Sequence, residues 1–226
     1  MLPKGWKRST FEEHIDLLNG YAFKSAEYCD DSDGTRLLRG DNIEPGSLRW
    51  KNAKKWPSRK FQGLEKFSLL AGDFVIAMDR TWVSAGLKVA EVKEADTPCL
   101  LVQRVARIRA RNGLEQTLLR QFFSAYRFEQ YVKSVQTETA VPHISAQQIR
   151  DFPVLLPPVA EQTKIAQILS TWDQAIATTE KLIENSKAQK KALMQQLLTG
   201  KKRLPGFADE WREYRFKEIF DRLKRK

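Results

Sequence analysis

Between Pro157-Pro158 and Gly200 the chain is patterned as a single long helix. Proline in the first turn loses no donor that a helix needs, and Glu161 lies where a negative charge suits the helix dipole. Gly200 supplies a left-handed cap, and Pro205 bars resumption. About 40 residues at 1.5 Å each make a rod roughly 60 Å long, far above the usual three turns. Alternating steps of four and three pick out Ile165, Leu169, Trp172, Ile176, Thr179, Ile183, Ser186, Lys190, Leu193 and Leu197, a coiled-coil seam with a polar middle. A seam of this kind needs a second long helix, and residues 157–199 carry the one such pattern in the sequence. The apolar members Ile165, Leu169, Trp172, Ile176, Ile183, Leu193 and Leu197 are therefore expected to pair with a helix from another chain, antiparallel or parallel. Packing lengthwise on its own domain is the alternative, and it would bury only part of the seam.

Residues 1–156 read differently, as an α+β domain that mixes short strands with a few helices. Ala71-Gly72-Asp73 is a turn before the short apolar run Phe74–Met78. Residues 87–92 alternate, and Leu100, Val102, Ala106 and Ile108 mark one face of a further strand that Arg104 interrupts. From Leu114 to Val135 the period becomes helical, through Leu118, Phe122, Tyr126 and Tyr131. Ser145 with Gln148 forms a capping box for a brief helix before the apolar Phe152–Leu156. Residues 200–226 are expected to be a linker and the start of a second copy. Trp211-Arg212-Glu213, with Phe216, Glu218, Phe220 and Asp221 following, repeats the spacing of Trp6-Lys7-Arg8, Phe11, Glu13, Ile15 and Asp16, and Leu2-Pro3 and Leu204-Pro205 lead in to each. A spacing of about 205 residues is no solenoid period; chance likeness of two amphipathic segments is the plain alternative.

Charge narrows the function. Lys and Arg number 39 against 28 Asp and Glu, a net charge of +11, and the excess is shared by both parts of the chain. That balance favours a polyanionic partner, although a merely solvated basic surface has the same composition. No apolar run has the length to cross a bilayer and no secretory leader is apparent, so a cytoplasmic protein without membrane contact is expected. Cys29 and Cys99 are too few and too distant to imply a disulfide framework or zinc site, and His14 and His143 lack ligand-spaced partners. Neither metal nor cofactor is expected.

Catalytic motifs are missing as well. The sequence has no Walker-type cradle, no Gly-x-Gly-x-x-Gly and no Gly-x-Ser-x-Gly elbow. Nucleic-acid signals are better represented. Arg49, Lys51, Lys54, Lys55, Arg59 and Lys60 cluster with Trp50, Trp56 and Phe61; such cations release counterions from phosphates, while the rings serve as core or as stacking platforms. Arg80, Thr81, Trp82 and Ser84 lie between two strands, where an arginine can make the forked contact to guanine, or where the loop is an ordinary hairpin. A third loop, residues 138–148, offers Thr139, His143, Ser145 and Gln147.

Several segments together resemble a type I restriction-modification specificity (S) subunit. They are Gly5-Trp6-Lys7, Leu37-Leu38-Arg39-Gly40-Asp41-Asn42-Ile43, Ala71–Ile76, and His143-Ile144-Ser145 leading into Phe152–Ile165 with its Leu-Pro-Pro-x-x-Glu-Gln run. The resemblance implies a target recognition domain that binds double-stranded DNA, followed by a conserved spacer helix. Complete members carry two such units, pair their helices antiparallel, read a split target and recruit the methylation (M) and restriction (R) subunits that hold the chemistry. This chain covers one unit and the first residues of a second, and it has His143 where asparagine is common. It is expected to be non-catalytic, and to form an antiparallel homodimer through the long helix. A catalytic fragment of a DNA modification enzyme and a basic coiled-coil scaffold are the alternative functions.

Overall fold

The structure, a computed structural model, describes residues 2–30, 32–137 and 141–219. It divides into two compact units, Met1–Ser170 and Thr171–Lys226. The first unit therefore takes in the opening turns of the long helix, because Gln162 and Ala166 are buried in it.

At the centre of the first unit is a four-stranded antiparallel sheet in the order Val89–Glu91, Phe74–Ala77, Val105–Ala110, Ile15–Asn19. Both of its faces are covered. Phe74 and Ile76 point to one side, with Ile15, Ala106 and Ile108; Val75 and Ala77 point to the other, with Ala90, Val92 and Val105. A strand buried on both faces has no polar alternation to show, which is why residues 74–77 read as an unbroken apolar run. The first face packs on an aromatic group around Phe11, whose ring meets those of Phe122, Phe123, Phe128 and Phe152 at centroid distances of 5.0–6.1 Å. The second face packs on a three-stranded sheet, in which Cys99–Leu101 runs parallel to Thr35–Leu38 and Lys55–Trp56 runs antiparallel to it.

Two expectations are corrected here. Residues 100–109 do not form one strand. Gln103 and Arg104 turn the chain, with Arg104 at φ +67°, so that Cys99–Leu101 and Val105–Ala110 enter different sheets. Nor is 114–135 one helix. Ala125 is extended (ψ 135°) between Gln116–Ser124 and Tyr126–Val135. The break resets the helical phase, which lets Phe123 and Phe128 both face Phe11; in an unbroken helix, residues five apart lie well round the axis from one another. Tyr126, on the expected stripe, is 73% exposed.

The head of the long helix, Val159–Leu197, is fastened by the Glu-Gln pair. Gln162 is buried; its Oε1 accepts from the Glu115 N–H (3.0 Å), and its Nε2 donates to the carbonyls of Gly113 (2.8 Å) and Pro157 (3.0 Å). The Trp6 indole donates to Glu161 Oε1 at 3.3 Å. Strand Lys7–Thr10 then pairs with Pro153–Leu156, closing the N-terminal segment onto the strand that precedes the helix.

In the second unit the helix ends at Leu197, and Gly200 (φ +71°) turns the chain so that the Trp211 ring lies 3.4 Å from where a Cβ on Gly200 would stand. Phe216–Ile219 is helical; Phe220 and Asp221 of the second copy lie outside the described residues. Along the long helix, Trp172 (67% exposed), Ile176 (57%), Ile183 (49%) and Leu193 (47%) stand open, flanked by exposed Ile168, Leu182, Met194 and Leu198. Leu169 is also exposed, while Ile165 and Leu197 are half-buried.

Candidate nucleic-acid interface

The loops singled out in the sequence meet in the first unit. Arg80 follows strand Phe74–Ala77 and is exposed at φ +47°, a left-handed conformation unusual for a residue with a side chain. The His143 segment holds it there. Arg80 N–H donates to the Pro142 carbonyl at 2.8 Å, Ile144 N–H donates to Met78 O at 2.9 Å, and Asp79 bridges to His143. His143 Nδ1 lies 2.5 Å from Asp79 Oδ1, and Arg104 Nε lies 3.5 Å from the other carboxylate oxygen.

Three adjoining concavities line this surface. One, of about 370 Å³, is bounded by Arg39, Asp41, Asp79, Arg80, Lys88 and Arg104 among others. It shares Asp41 and Lys88 with a second that reaches Glu44, Arg49 and Val83. It shares Gln103 and Arg104 with a third that includes Gly20, His143 and Ser145. Gly20 permits the close approach there, since a Cβ on it would stand 2.1 Å from the Val102 carbonyl oxygen. Arg39, Arg49, Arg80, Lys88 and Arg104 face only Asp41, Glu44 and Asp79 across the joined surface, so its balance is positive.

Not every expected residue belongs to it. Thr81 is fully buried, and its hydroxyl donates to Gln136 Oε1 at 2.8 Å, which corrects its expected place on a DNA-facing loop. Trp82 is half-buried beneath the Lys133 ammonium, 4.4 Å from the ring centroid, whereas Ser84 is exposed at the tip of the hairpin. Ser145 caps its helix by accepting from the Gln148 N–H at 3.1 Å, and exposed Gln147 donates to Asp151 at 2.9 Å. Thr139 lies outside the described residues.

The basic cluster also divides. Trp56 is core, its indole donating to the Lys60 carbonyl at 3.0 Å, and the Trp50 indole donates to Asp96 at 2.6 Å with the Arg36 guanidinium 4.4 Å from its ring centroid. Those rings are framework, not stacking platforms. Lys60 pairs with Glu27 at 2.9 Å, and Arg49 with Glu44 at 3.1 Å. Lys55 is half-buried in its sheet strand, and Lys51, Lys54 and Arg59 are exposed.

Sequence reasoning missed Arg39, Lys88, Gln103 and Arg104. Arg39 and Arg104 were visible as charges beside strands, but nothing local said that three separate turns converge. Among the described residues no group of His, Cys, Asp or Glu is gathered to hold a metal ion, and none of the helices is long and apolar enough to cross a membrane. Burial pushes the Cys99 thiol up to about 12, the setting of an inert sulfur.

A double-covered sheet carries this basic, turn-built surface, and in the sequence the long helix follows the apolar strand Pro153–Leu156. Residues 3–186 match the family model of the type I restriction modification DNA specificity domain, and the chain belongs to that family. It is 35% identical over 182 residues to the type I restriction enzyme EcoAI specificity subunit of Escherichia coli, covering 80% of this chain and 30% of that protein. It is 28% identical over 205 residues to the MjaVIII specificity subunit of Methanocaldococcus jannaschii, covering 90% of this chain and 48% of that one. The chain thus spans less than half the length of these relatives. In fold it resembles the crystal structure of the HsdS subunit from Thermoanaerobacter tengcongensis, with TM-score 0.58 and 21% identity over 88% of this chain and 45% of that one. A chain from a study of type I R-M complex assembly gives TM-score 0.62 at 19% identity, over 86% and 45% respectively.

Proposed function

We propose that this chain is a non-catalytic specificity element of a type I restriction-modification system that reads one half of a split DNA target. The observation that carries the reading is the convergence of Arg39, Arg80 and Arg104 from three strand-end turns onto one basic surface within a DNA specificity domain. Arginines on turns can reach base edges, Arg80 being the one without an acidic partner among the described residues, and the cations around them neutralise phosphates. Residues 1–156 form the recognition domain in this reading, 157–199 the spacer, and 200–226 the approach to a further unit. The exposed seam pairs with a second helix of the same kind, antiparallel, supplied by a second copy of the chain. The apolar residues flanking the seam widen it beyond what two helices need, and that surplus suits docking of methylation and restriction subunits.

Selection from a pool of randomised duplexes tests the reading. The expected result is enrichment of one short motif; with two copies paired antiparallel, it appears twice, inverted, at a fixed spacing. Folded protein that enriches no sequence overturns it.

A further inference from the structure

Lys88 stands where the two larger concavities adjoin, and it is only 7% exposed. Its backbone is clamped on both sides. The N–H donates to the Thr81 carbonyl at 2.7 Å, and the carbonyl accepts from Ala77 N–H at 3.0 Å. The ammonium lies 4.0 Å from where a Cβ on Gly40 would stand. Among the described residues no hydrogen bond or ion pair reaches it, for the nearby carboxylates are engaged elsewhere. Asp41 pairs with Arg39 at 3.4 Å, Glu44 with Arg49 at 3.1 Å, and Asp79 with His143 and Arg104.

The stem of Lys88 is enclosed, whereas its ammonium opens on the cleft, where among the described residues no polar group bonds it. Burial lowers the Lys88 pKa; Asp41 partly offsets this, and Arg80 and Arg49 add to it. What completes such a position is an anion entering the cleft.

We infer that the Lys88 ammonium anchors a backbone phosphate of the DNA duplex, seated between Arg80 and Arg49. The inference rests on the DNA-binding reading above. Shape selects the phosphate over a base edge: base edges are recessed in a groove and are met by protruding side chains such as Arg80, whereas phosphates protrude and fit a concavity. A lysine is also a compact point charge, suited to phosphate without the planar matching that guanine rewards.

The test compares the full chain with Lys88→Met, which keeps the stem, and Lys88→Arg, which keeps the charge. The probes are two duplexes of about 30 base pairs, one of A·T pairs only and one of G·C pairs only, titrated across salt concentrations. Lys88→Met is expected to weaken both duplexes alike, by roughly tenfold at low salt, and to lower the log–log salt slope by about 0.9. Its melting temperature is expected to stay level, and Lys88→Arg is expected to keep the slope. Unchanged affinity and slope in Lys88→Met overturn the inference, as does a loss confined to the G·C duplex, which would make Lys88 a base reader. If the folded unsubstituted chain binds neither duplex, the DNA-binding reading itself fails, and the inference with it. A Lys88→Met chain that does not fold leaves Lys88→Arg to decide: loss of slope there, with the fold intact, overturns it.

Discussion

Gln162→Met keeps the volume of the side chain and removes its polar end. In the structure that end accepts one hydrogen bond and donates two, from the Glu115 N–H and to the Gly113 and Pro157 carbonyls, at 2.8–3.0 Å, in a position 1% exposed. Each such bond contributes about 1 kcal/mol net, and stranding a buried partner costs more. The three together put the loss at roughly 3 kcal/mol. For a cooperative unit of this size, each kcal/mol moves the melting temperature by about 2–4 °C. The substitution should therefore lower the midpoint by roughly 6–12 °C in a calorimetric or circular-dichroism melt. A shift of about one degree or less would refute the assignment of Gln162 as the fastener of the helix head. Its effect on DNA affinity at a temperature where the domain is folded should be small, since Gln162 lines none of the basic concavities.

Charging the seam should separate the paired helices. Ile176 and Ile183 are each about half exposed in the single chain, so burying the remainder on pairing is worth about 1 kcal/mol per side chain. With each residue present twice in a dimer, Ile176→Glu with Ile183→Glu should weaken association by at least a thousandfold, roughly 4 kcal/mol. Analytical ultracentrifugation at micromolar concentration decides it; an unsubstituted chain that sediments as a stable 26.1 kDa monomer refutes self-pairing. At the turn tip, Arg80→Gly relieves the left-handed backbone and should raise stability by about 1 kcal/mol. The same change should relax preference at one base pair of a selected target by about 1–3 kcal/mol. A uniform loss across sequences would make Arg80 a phosphate contact instead.

The long helix was readable because every signal in it is local: a proline start, a glycine stop and a repeating apolar step. So was the capping box at Ser145, whose hydroxyl and partner Gln148 are bonded as the spacing implies. Periodicity failed where packing imposed a break with no proline or glycine to announce it, at Ala125 between two phenylalanines that both reach Phe11. It failed again at Arg104, where a turn hidden inside an apolar run sends two strands into different sheets. The basic segment drew attention by density, yet density says nothing of pairing, and Lys60 and Arg49 each have an acid beside them. Thr81 shows the converse: a polar residue in a loop-like stretch that the fold turns inward. Lys88 was legible only as one polar side chain in an alternating strand, because its isolation depends on which carboxylates its neighbours have already taken.

The turns that carry Arg39, Arg80 and Arg104 lie beyond the ends of strands whose own side chains are sealed in two cores. Letters can thus be changed without rewriting the page. If these tips read DNA as proposed, a substitution at any of them would alter the target while leaving the aromatic group around Phe11 and the Gln162 fastening untouched. A lineage carrying this architecture would then reach new targets by small steps, each intermediate still folded and differing only in the DNA it selects.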